Sequence, residues 1–182
     1  DVCSSDLMGG VFAYIGGSPF VFIELHGIAS EHFGWIFGAN AAGFVVMAQI
    51  NGRLVHRSSP ETLLRAGTTA QVVAALSLLA AALTGFGGIW GIGVPLFAFI
   101  ATIGLVLPNS AALAMAPHGA NAGLASALLG VVQFSAGGGM VLLVGSLGEG
   151  SAVPMAAVMT MTALGGFIFC RAIALASPAK PA

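Results

Sequence analysis

The chain has 182 residues, of which 58% are hydrophobic and only 6% are charged, and its formal net charge is -1. A water-soluble protein of this size would need many more charged side chains at its surface, so the composition excludes a soluble globular domain. It also contains no basic patch with interleaved aromatic residues, which argues against a nucleic-acid partner. We therefore expect an all-α, polytopic membrane protein that is embedded in the lipid bilayer.

Six apolar runs in the sequence are long enough to cross a bilayer, which takes about 20 residues of helix. They are rich in Ala, Leu and Gly and lack the two-residue alternation of a transmembrane barrel. Short connections between the runs predict sequential antiparallel helices in one bundle. The predicted spans are 8–26, 33–50, 63–84, 89–113, 121–147 and 153–176.

The first seven residues, Asp-Val-Cys-Ser-Ser-Asp-Leu, match the translation of a common sequencing-library adapter. We interpret residues 1–7 as an assembly artefact and expect the native sequence to begin near Met8, although a genuine short polar terminus is the alternative. Residues 8–176 are then the six-helix transmembrane domain and residues 177–182 a cytoplasmic tail.

The basic residues predict the orientation of the helices. If the amino end is cytoplasmic, every Lys and Arg falls on the cytoplasmic side, as the positive-inside rule expects. These residues are Arg53, Arg57, Arg65, Arg171 and Lys180, whereas the outer connections hold Glu24, Glu31 and Glu149.

Proline and glycine interrupt the apolar runs at related places. Gly17-Ser18-Pro19-Phe20 in the first run and Gly93-Val94-Pro95-Leu96 in the fourth are one three-helix unit apart. Paired interruptions of this kind are typical of inverted three-helix repeats in secondary transporters, with coincidence as the alternative. In the fifth run, Gly123, Ala127 and Gly130 share one helix face, which predicts close packing between helices or a sliding surface.

Two stretches of the sequence resemble a known family. The stretch YIGGSPFVFIELHGIASEHFGWIFGANAAG is similar to the seventh and eighth helices of bicyclomycin-resistance (Bcr/CflA-type) efflux proteins of the major facilitator superfamily. The stretch LVLPNSAALAMAPHGANAGLASALLGVVQF resembles the tenth and eleventh helices of the same family. The resemblance covers essentially all of residues 8–176.

The connection after the second run carries a weaker sign of the same family. The superfamily has a G-x-L-x-D-R-x-G-R-R motif between its second and third helices, with a degenerate copy in the second half. Gly52, Leu54 and Arg57 fit that copy, whereas His56 stands at the position of the Asp and Ser59 at that of the second Gly. Arg53 and Arg57 are then expected to act as topology determinants.

The resemblance implies the carboxyl-terminal six-helix half of a proton-coupled antiporter in the bacterial inner membrane. Such proteins have twelve helices in two halves and export small, mostly apolar drugs by alternating access. The implied partners are a missing amino-terminal half and a small apolar substrate. No cofactor or metal is expected, because the proton gradient is the implied source of energy.

Seven residues are candidates for the substrate site. The amides lie inside apolar runs, where a buried polar group needs a partner, so they face either a neighbouring helix or a cavity. The carboxylate lies near the outer end of the first run, and the aromatic residues either line a cavity or pack between helices. The candidates are Glu24, Asn40, Asn109, Gln133, Tyr14, Phe20 and Phe134.

Three other functions are alternatives to one half of an efflux protein. An intact six-helix transporter acting as a homodimer requires Met8 to be a true start. An intramembrane hydrolase is disfavoured, because the sequence contains neither G-x-S-G nor H-E-x-x-H. A scaffold without transport activity is disfavoured by the amides inside the apolar runs and by the Gly/Pro interruptions.

Overall fold

The computed structural model describes residues 2–116, 122–148 and 150–176, and over these ranges it is built of helices without strands. His118, Glu149, Lys180 and the predicted tail 177–182 lie outside the described residues. A π-helical segment, Phe20–Leu25, continues the first helix. The α-helices are α1 (Val2–Pro19), α2 (Ser30–Leu54), α3 (Pro60–Thr84), α4 (Gly88–Met115), α5 (Ala122–Ser146) and α6 (Val153–Ala176).

All six predicted spans correspond to helices that are long and apolar enough to cross a membrane. This confirms the predicted all-α membrane fold. The bounds differ most at α1, which begins at Val2 instead of residue 8, and at α2, which extends beyond both ends of the predicted run 33–50. The hydrogen bond from Val55 N–H to the Asn51 carbonyl, at 3.0 Å, shows that the helical pattern continues past the last apolar residues. Asn51 therefore belongs to a helix and not to a connection.

The ends of α3 show why the connections on either side can be short. At its start, the Ser59 hydroxyl accepts a hydrogen bond from the Thr62 amide at 3.3 Å, and Pro60 occupies the first turn, where it needs no N–H partner. At its end, Gly85 adopts a φ of 67°, a left-handed conformation that glycine adopts without strain. The chain then turns back directly into α4.

The helices pack in a pattern with approximate two-fold symmetry. Helix α1 packs against α5 and α6, α4 packs against α2 and α3, and α3 and α6 pack against each other. Exchanging α1 with α4, α2 with α5 and α3 with α6 leaves this pattern unchanged. Because each unit holds three helices, the second unit crosses the membrane in the opposite sense. The bundle therefore consists of two inverted three-helix repeats, as predicted.

The two prolines that suggested the repeat have different local effects. Each removes one backbone hydrogen bond from its helix. After Pro19 the helix widens into the π-helical segment, whereas α4 continues as an α-helix through Pro95 and Pro108. The repeats thus share their arrangement of helices, and the geometry at the paired prolines differs.

Burial divides the helices into an inner set and two peripheral ones. In the membrane-spanning windows, 44% of residues are buried in α1 and 50% in α4, but only 11% in α2 and 6% in α5. The buried core lies where α1, α3, α4 and α6 meet, around Phe99, Leu78 and Met159. Helices α2 and α5 each rest on one inner helix and expose most of their apolar surface.

Glycines in α5 make fewer close contacts than the sequence predicted. A Cβ added to Gly123 or Gly130 would meet no atom within 4 Å, so the predicted tight packing at these two residues is wrong within the described bundle. Contact occurs further along, where Gly137 lies against the ring of Phe12. The part of α5 before Gly137 therefore has an open face of small residues.

Candidate functional site

A cleft between α1, α2 and α4 is the candidate site. It has a volume of about 200 Å³, and nearly all of its lining is apolar. Each helix contributes residues at spacings of three or four, so one face of each helix forms one wall. The lining residues are Met8, Val11, Tyr14 and Ile15 from α1, Phe37, Asn40, Ala41 and Phe44 from α2, and Ile100, Ile103 and Leu107 from α4.

Two predicted residues, Tyr14 and Asn40, meet in this cleft. The Asn40 side-chain amide donates a hydrogen bond to the Tyr14 hydroxyl at 3.1 Å, and both side chains are buried. The Tyr14 ring also stacks on Phe37, with ring centroids 5.5 Å apart and 14° between the ring planes. Since the hydroxyl accepts the bond from Asn40, its own hydrogen can be donated to a second acceptor. The pair is thus buried within the apolar wall and leaves almost no polar surface toward the cleft.

A second polar pair joins α2 to α4, near the carboxyl end of α2. The Asn109 amide donates to the Asn51 side-chain oxygen at 2.7 Å and to the Leu105 carbonyl at 2.6 Å. Both asparagines are buried. Asn109 therefore serves as an interhelical link and does not line the cleft. Asn51 is not among the predicted site residues, because it follows the last long apolar stretch of its helix.

Coupling between these two asparagines gives the first testable prediction. Asn51→Leu or Asn109→Leu alone leaves a buried amide without its partner and is expected to cost about 1–2 kcal/mol. The double variant is expected to cost less than the sum of the two single variants. The difference should be about 0.6–1.7 kcal/mol, the average and the maximum for hydrogen bonds between membrane helices. Thermal unfolding in detergent measures the cycle. The cycle of Asn40→Leu with Asn109→Leu, which share no hydrogen bond, should be additive; equal coupling in both cycles would contradict the assignment.

Four other predicted site residues lie outside the cleft. Phe20 packs partly buried against the core, and Glu24 is exposed on the π-helical segment. Gln133 is half-buried on α5, whereas Phe134 is 67% exposed and meets Phe12 edge to face, with centroids 5.8 Å apart. Within this bundle, the α5 residues therefore belong to a separate surface beside α1.

The residues of the predicted loop motif are at the end of α2 and in the turn after it. Gly52 and Arg53 occupy the last turn of the helix, and Arg57 follows in the turn, where its amide donates to the Leu54 carbonyl at 2.9 Å. All three are exposed. They lie at the same end of the bundle as Arg65 and Arg171, since α2 and α6 end there and α3 begins there.

Two curated proteins are similar to most of this chain. One is named an uncharacterized MFS-type transporter, YdgK, of Bacillus subtilis (strain 168), and is 35% identical over 158 residues, which is 87% of this chain and 39% of the relative. The other is named a bicyclomycin resistance protein homolog, of Haemophilus influenzae, and is 29% identical over 147 residues, 81% of this chain and 37% of the relative.

Over most of its length the chain is similar to these two proteins, one of which is named as a transporter of the major facilitator superfamily. It spans well under half the length of either relative, and its six helices correspond to one half of such a transporter. No family model and no solved structure matches it. The chain is thus a multi-pass membrane segment, and its candidate site lies between α1, α2 and α4.

Proposed function

We propose that this chain is the carboxyl-terminal half of a proton-driven exporter of small, mostly apolar compounds in the bacterial inner membrane. The observation that carries the proposal is the cleft between α1, α2 and α4, with apolar walls and a single polar pair. Apolar pockets with a few placed polar groups are typical of small-molecule sites. The printed names of the two relatives, an MFS-type transporter and a bicyclomycin resistance protein homolog, support transport and drug resistance.

The chemistry of the cleft supports a substrate with a ring and one hydrogen-bond acceptor. Phe37 and Tyr14 offer aromatic surface, and aromatic contacts contribute about 0.5–1.5 kcal/mol beyond the burial of their area. The Tyr14 hydroxyl has one hydrogen to donate, and a substrate would reach it by displacing part of the apolar wall that covers it. The apolar lining elsewhere sets no further directional requirement, which supports a broad range of substrates.

The exposed faces of α2 and α5 support a second six-helix half as the partner. Both helices rest on one neighbour and expose large apolar side chains, among them Val46 on α2 and Leu142 on α5. A second bundle against these two faces would bury them and cover the cleft. Motion between the two bundles would open the cleft alternately to each side of the membrane.

The arginines support an orientation with both ends of the chain in the cytoplasm. Arg53, Arg57, Arg65 and Arg171 all lie at one end of the bundle, and Glu24 and Glu31 lie at the other. Positive charge is retained on the cytoplasmic side of bacterial membranes. A reporter enzyme that is active only in the cytoplasm is expected to be active when fused after Ala182, and one that is active only outside the cytoplasm is expected to be inactive there.

Drug accumulation in bacteria that lack their main exporters tests the proposal. The protein expressed from its complete reading frame is expected to lower the accumulation of a fluorescent apolar compound several-fold. An uncoupler that dissipates the proton gradient is expected to abolish the difference. Accumulation that stays low after uncoupling would contradict proton coupling.

Expression of residues 8–182 alone distinguishes half of a transporter from an intact one. The six-helix segment is expected to insert in the membrane without lowering accumulation, since half of the cavity is absent. Energy-dependent export by this segment would instead support the homodimer, with a second copy supplying the other half.

A further inference from the structure

The contact between α3 and α6 continues to the arginine-bearing end of the bundle. The Thr160 hydroxyl of α6 donates to the Ala156 carbonyl of its own helix at 2.7 Å and also lies 3.1 Å from the Ala75 carbonyl of α3; Thr160 and Ala75 are both buried. The contact places Thr160 and Ala75 at the same height in the bundle. From it, one face of α3 leads through Thr68 to Arg65, and one face of α6 leads through Phe167 to Arg171.

Arg65 and Arg171 lie at the same depth along this contact. At a rise of 1.5 Å per residue, Arg65 is about 15 Å from Ala75 along α3 and Arg171 is about 16 Å from Thr160 along α6. The two helices run in opposite directions, so both distances lead to the same end of the bundle. Both side chains are exposed. The two arginines thus lie at the same end of the α3–α6 contact, one on each helix; the space between them at this end is called the groove below.

These two charges are without a carboxylate partner in the part of the chain that the structure describes. Neither arginine forms an ion pair there, although Glu61 lies one turn before Arg65 on α3. The Arg171 guanidinium is instead over the Phe167 ring, 5.0 Å from its centroid. This contact holds the charge beside the groove and leaves its outward N–H donors unused.

We propose that Arg65 and Arg171 bind the phosphate of an anionic phospholipid at the end of the α3–α6 contact. Guanidinium groups match phosphate oxygens in geometry and remain charged at any physiological pH. Two turns further into the membrane, Val72 lies on the same face of α3 as Arg65, and Leu164 lies on the same face of α6 as Arg171. Neither side chain is fully buried, so both can contact an acyl chain of the bound lipid. With the orientation proposed above, the lipid belongs to the cytoplasmic leaflet.

Native mass spectrometry of the protein from its complete reading frame, in a non-ionic detergent, tests this site. Titration with phosphatidylglycerol is expected to give a bound complex that phosphatidylcholine with the same acyl chains gives only weakly. A charge-assisted hydrogen bond from an arginine to phosphate strengthens binding roughly tenfold or more. The variant Arg65→Ala/Arg171→Ala, which loses such bonds at both positions, is therefore expected to bind phosphatidylglycerol about 100-fold more weakly.

A matched variant separates a site from general charge attraction. Arg53→Ala/Arg57→Ala removes the same number of charges from the same end of the bundle, and it is expected to retain binding. Arg65→Lys/Arg171→Lys keeps the charge, should retain most of the binding and serves if the alanine variant fails to fold. Equal losses in both alanine variants, or equal binding of phosphatidylcholine, would overturn the proposal. So would displacement of the lipid by millimolar inorganic phosphate, which would assign the site to a soluble phosphate.

Discussion

Replacing Gly104 by alanine is expected to destabilise the bundle by about 3 kcal/mol or more. Gly104 lies where α4 crosses α2, and an added Cβ would overlap the Phe44 carbonyl oxygen and approach the Ala48 amide nitrogen to 2.8 Å. These atoms belong to the backbone, so no side chain can rotate away. The helices would have to separate, and overpacking of this kind costs about 1–3 kcal/mol even where side chains can adjust.

Separation of α2 from α4 would also disturb both polar pairs of the site. The Asn51–Asn109 bond joins these two helices directly, and the position of Asn40 beside Tyr14 depends on how α2 lies over α4. Gly104→Ala is therefore expected to lower both stability and transport. The variant therefore tests whether the close crossing of α2 and α4 at Gly104 determines the shape of the cleft.

Gly93→Ala in the same helix is the matched control. A Cβ at Gly93 would meet nothing within 4 Å, so this variant should be neutral or more stable by about 0.5–1 kcal/mol, the usual gain for alanine over glycine in a helix. Thermal unfolding in detergent, followed by size-exclusion chromatography, compares the two. If both substitutions shift the melting temperature alike, the close α2–α4 crossing is contradicted.

Tyr14→Ala is expected to reduce drug export by at least tenfold. It removes the ring that stacks on Phe37 and the acceptor that pairs with Asn40, leaving a buried amide unpaired. A bound substrate would lose its own contact with the Tyr14 ring, which is worth about 0.5–1.5 kcal/mol, and the apolar area buried against that ring, at about 25 cal/mol per Å². Together they account for roughly a tenfold to hundredfold loss of apparent affinity.

Tyr14→Phe separates the role of the ring from that of the hydroxyl. The aromatic surface remains, and the donor is lost. We expect the half-saturating concentration to rise severalfold for substrates that carry a hydrogen-bond acceptor and to stay unchanged for hydrocarbon-like ones. A uniform change for both kinds of substrate would show that the hydroxyl acts only through the fold.

Control of these export measurements uses Phe86→Ala. Phe86 is 80% exposed in the connection between α3 and α4, and it does not line the cleft. Its loss is expected to leave the half-saturating concentration unchanged. The amount of protein in the membrane is measured for each variant, so that a loss of folding is separated from a loss of affinity.

The sequence predicted the helices well because length and hydropathy alone determine which segments can cross a bilayer. It also pointed to Asn40, because an amide within an apolar run needs a buried partner or a cavity, and to Tyr14, as an aromatic residue that either lines a cavity or packs between helices. It could not show that they bind each other, since hydropathy carries no information on which helix faces meet. Phe37 illustrates this. It lies three residues before Asn40 on the same face of α2, but only its stacking on Tyr14 of α1 shows that it lines the cleft.

Asn51 and Gly123 show the limits of the sequence in two other ways. The polar neighbours of Asn51 predict a connection, although the backbone remains helical around it. The small residues around Gly123 predict close packing or a sliding surface, but no atom in this bundle approaches within 4 Å of a Cβ placed there. In both cases the residue type permitted the structure without determining it.

The two polar pairs also differ in when their partners are synthesised. Tyr14 precedes Asn40 in the chain, so the amide deep in α2 finds its acceptor as soon as α2 meets α1. Asn51 must wait for Asn109, which at translation rates of about 5–20 residues per second is made on the order of several seconds later. During that interval Asn51 lies near the end of α2, where water and lipid headgroups can satisfy its amide. The deep amide thus pairs with a helix made earlier, and the shallow one with a helix made later.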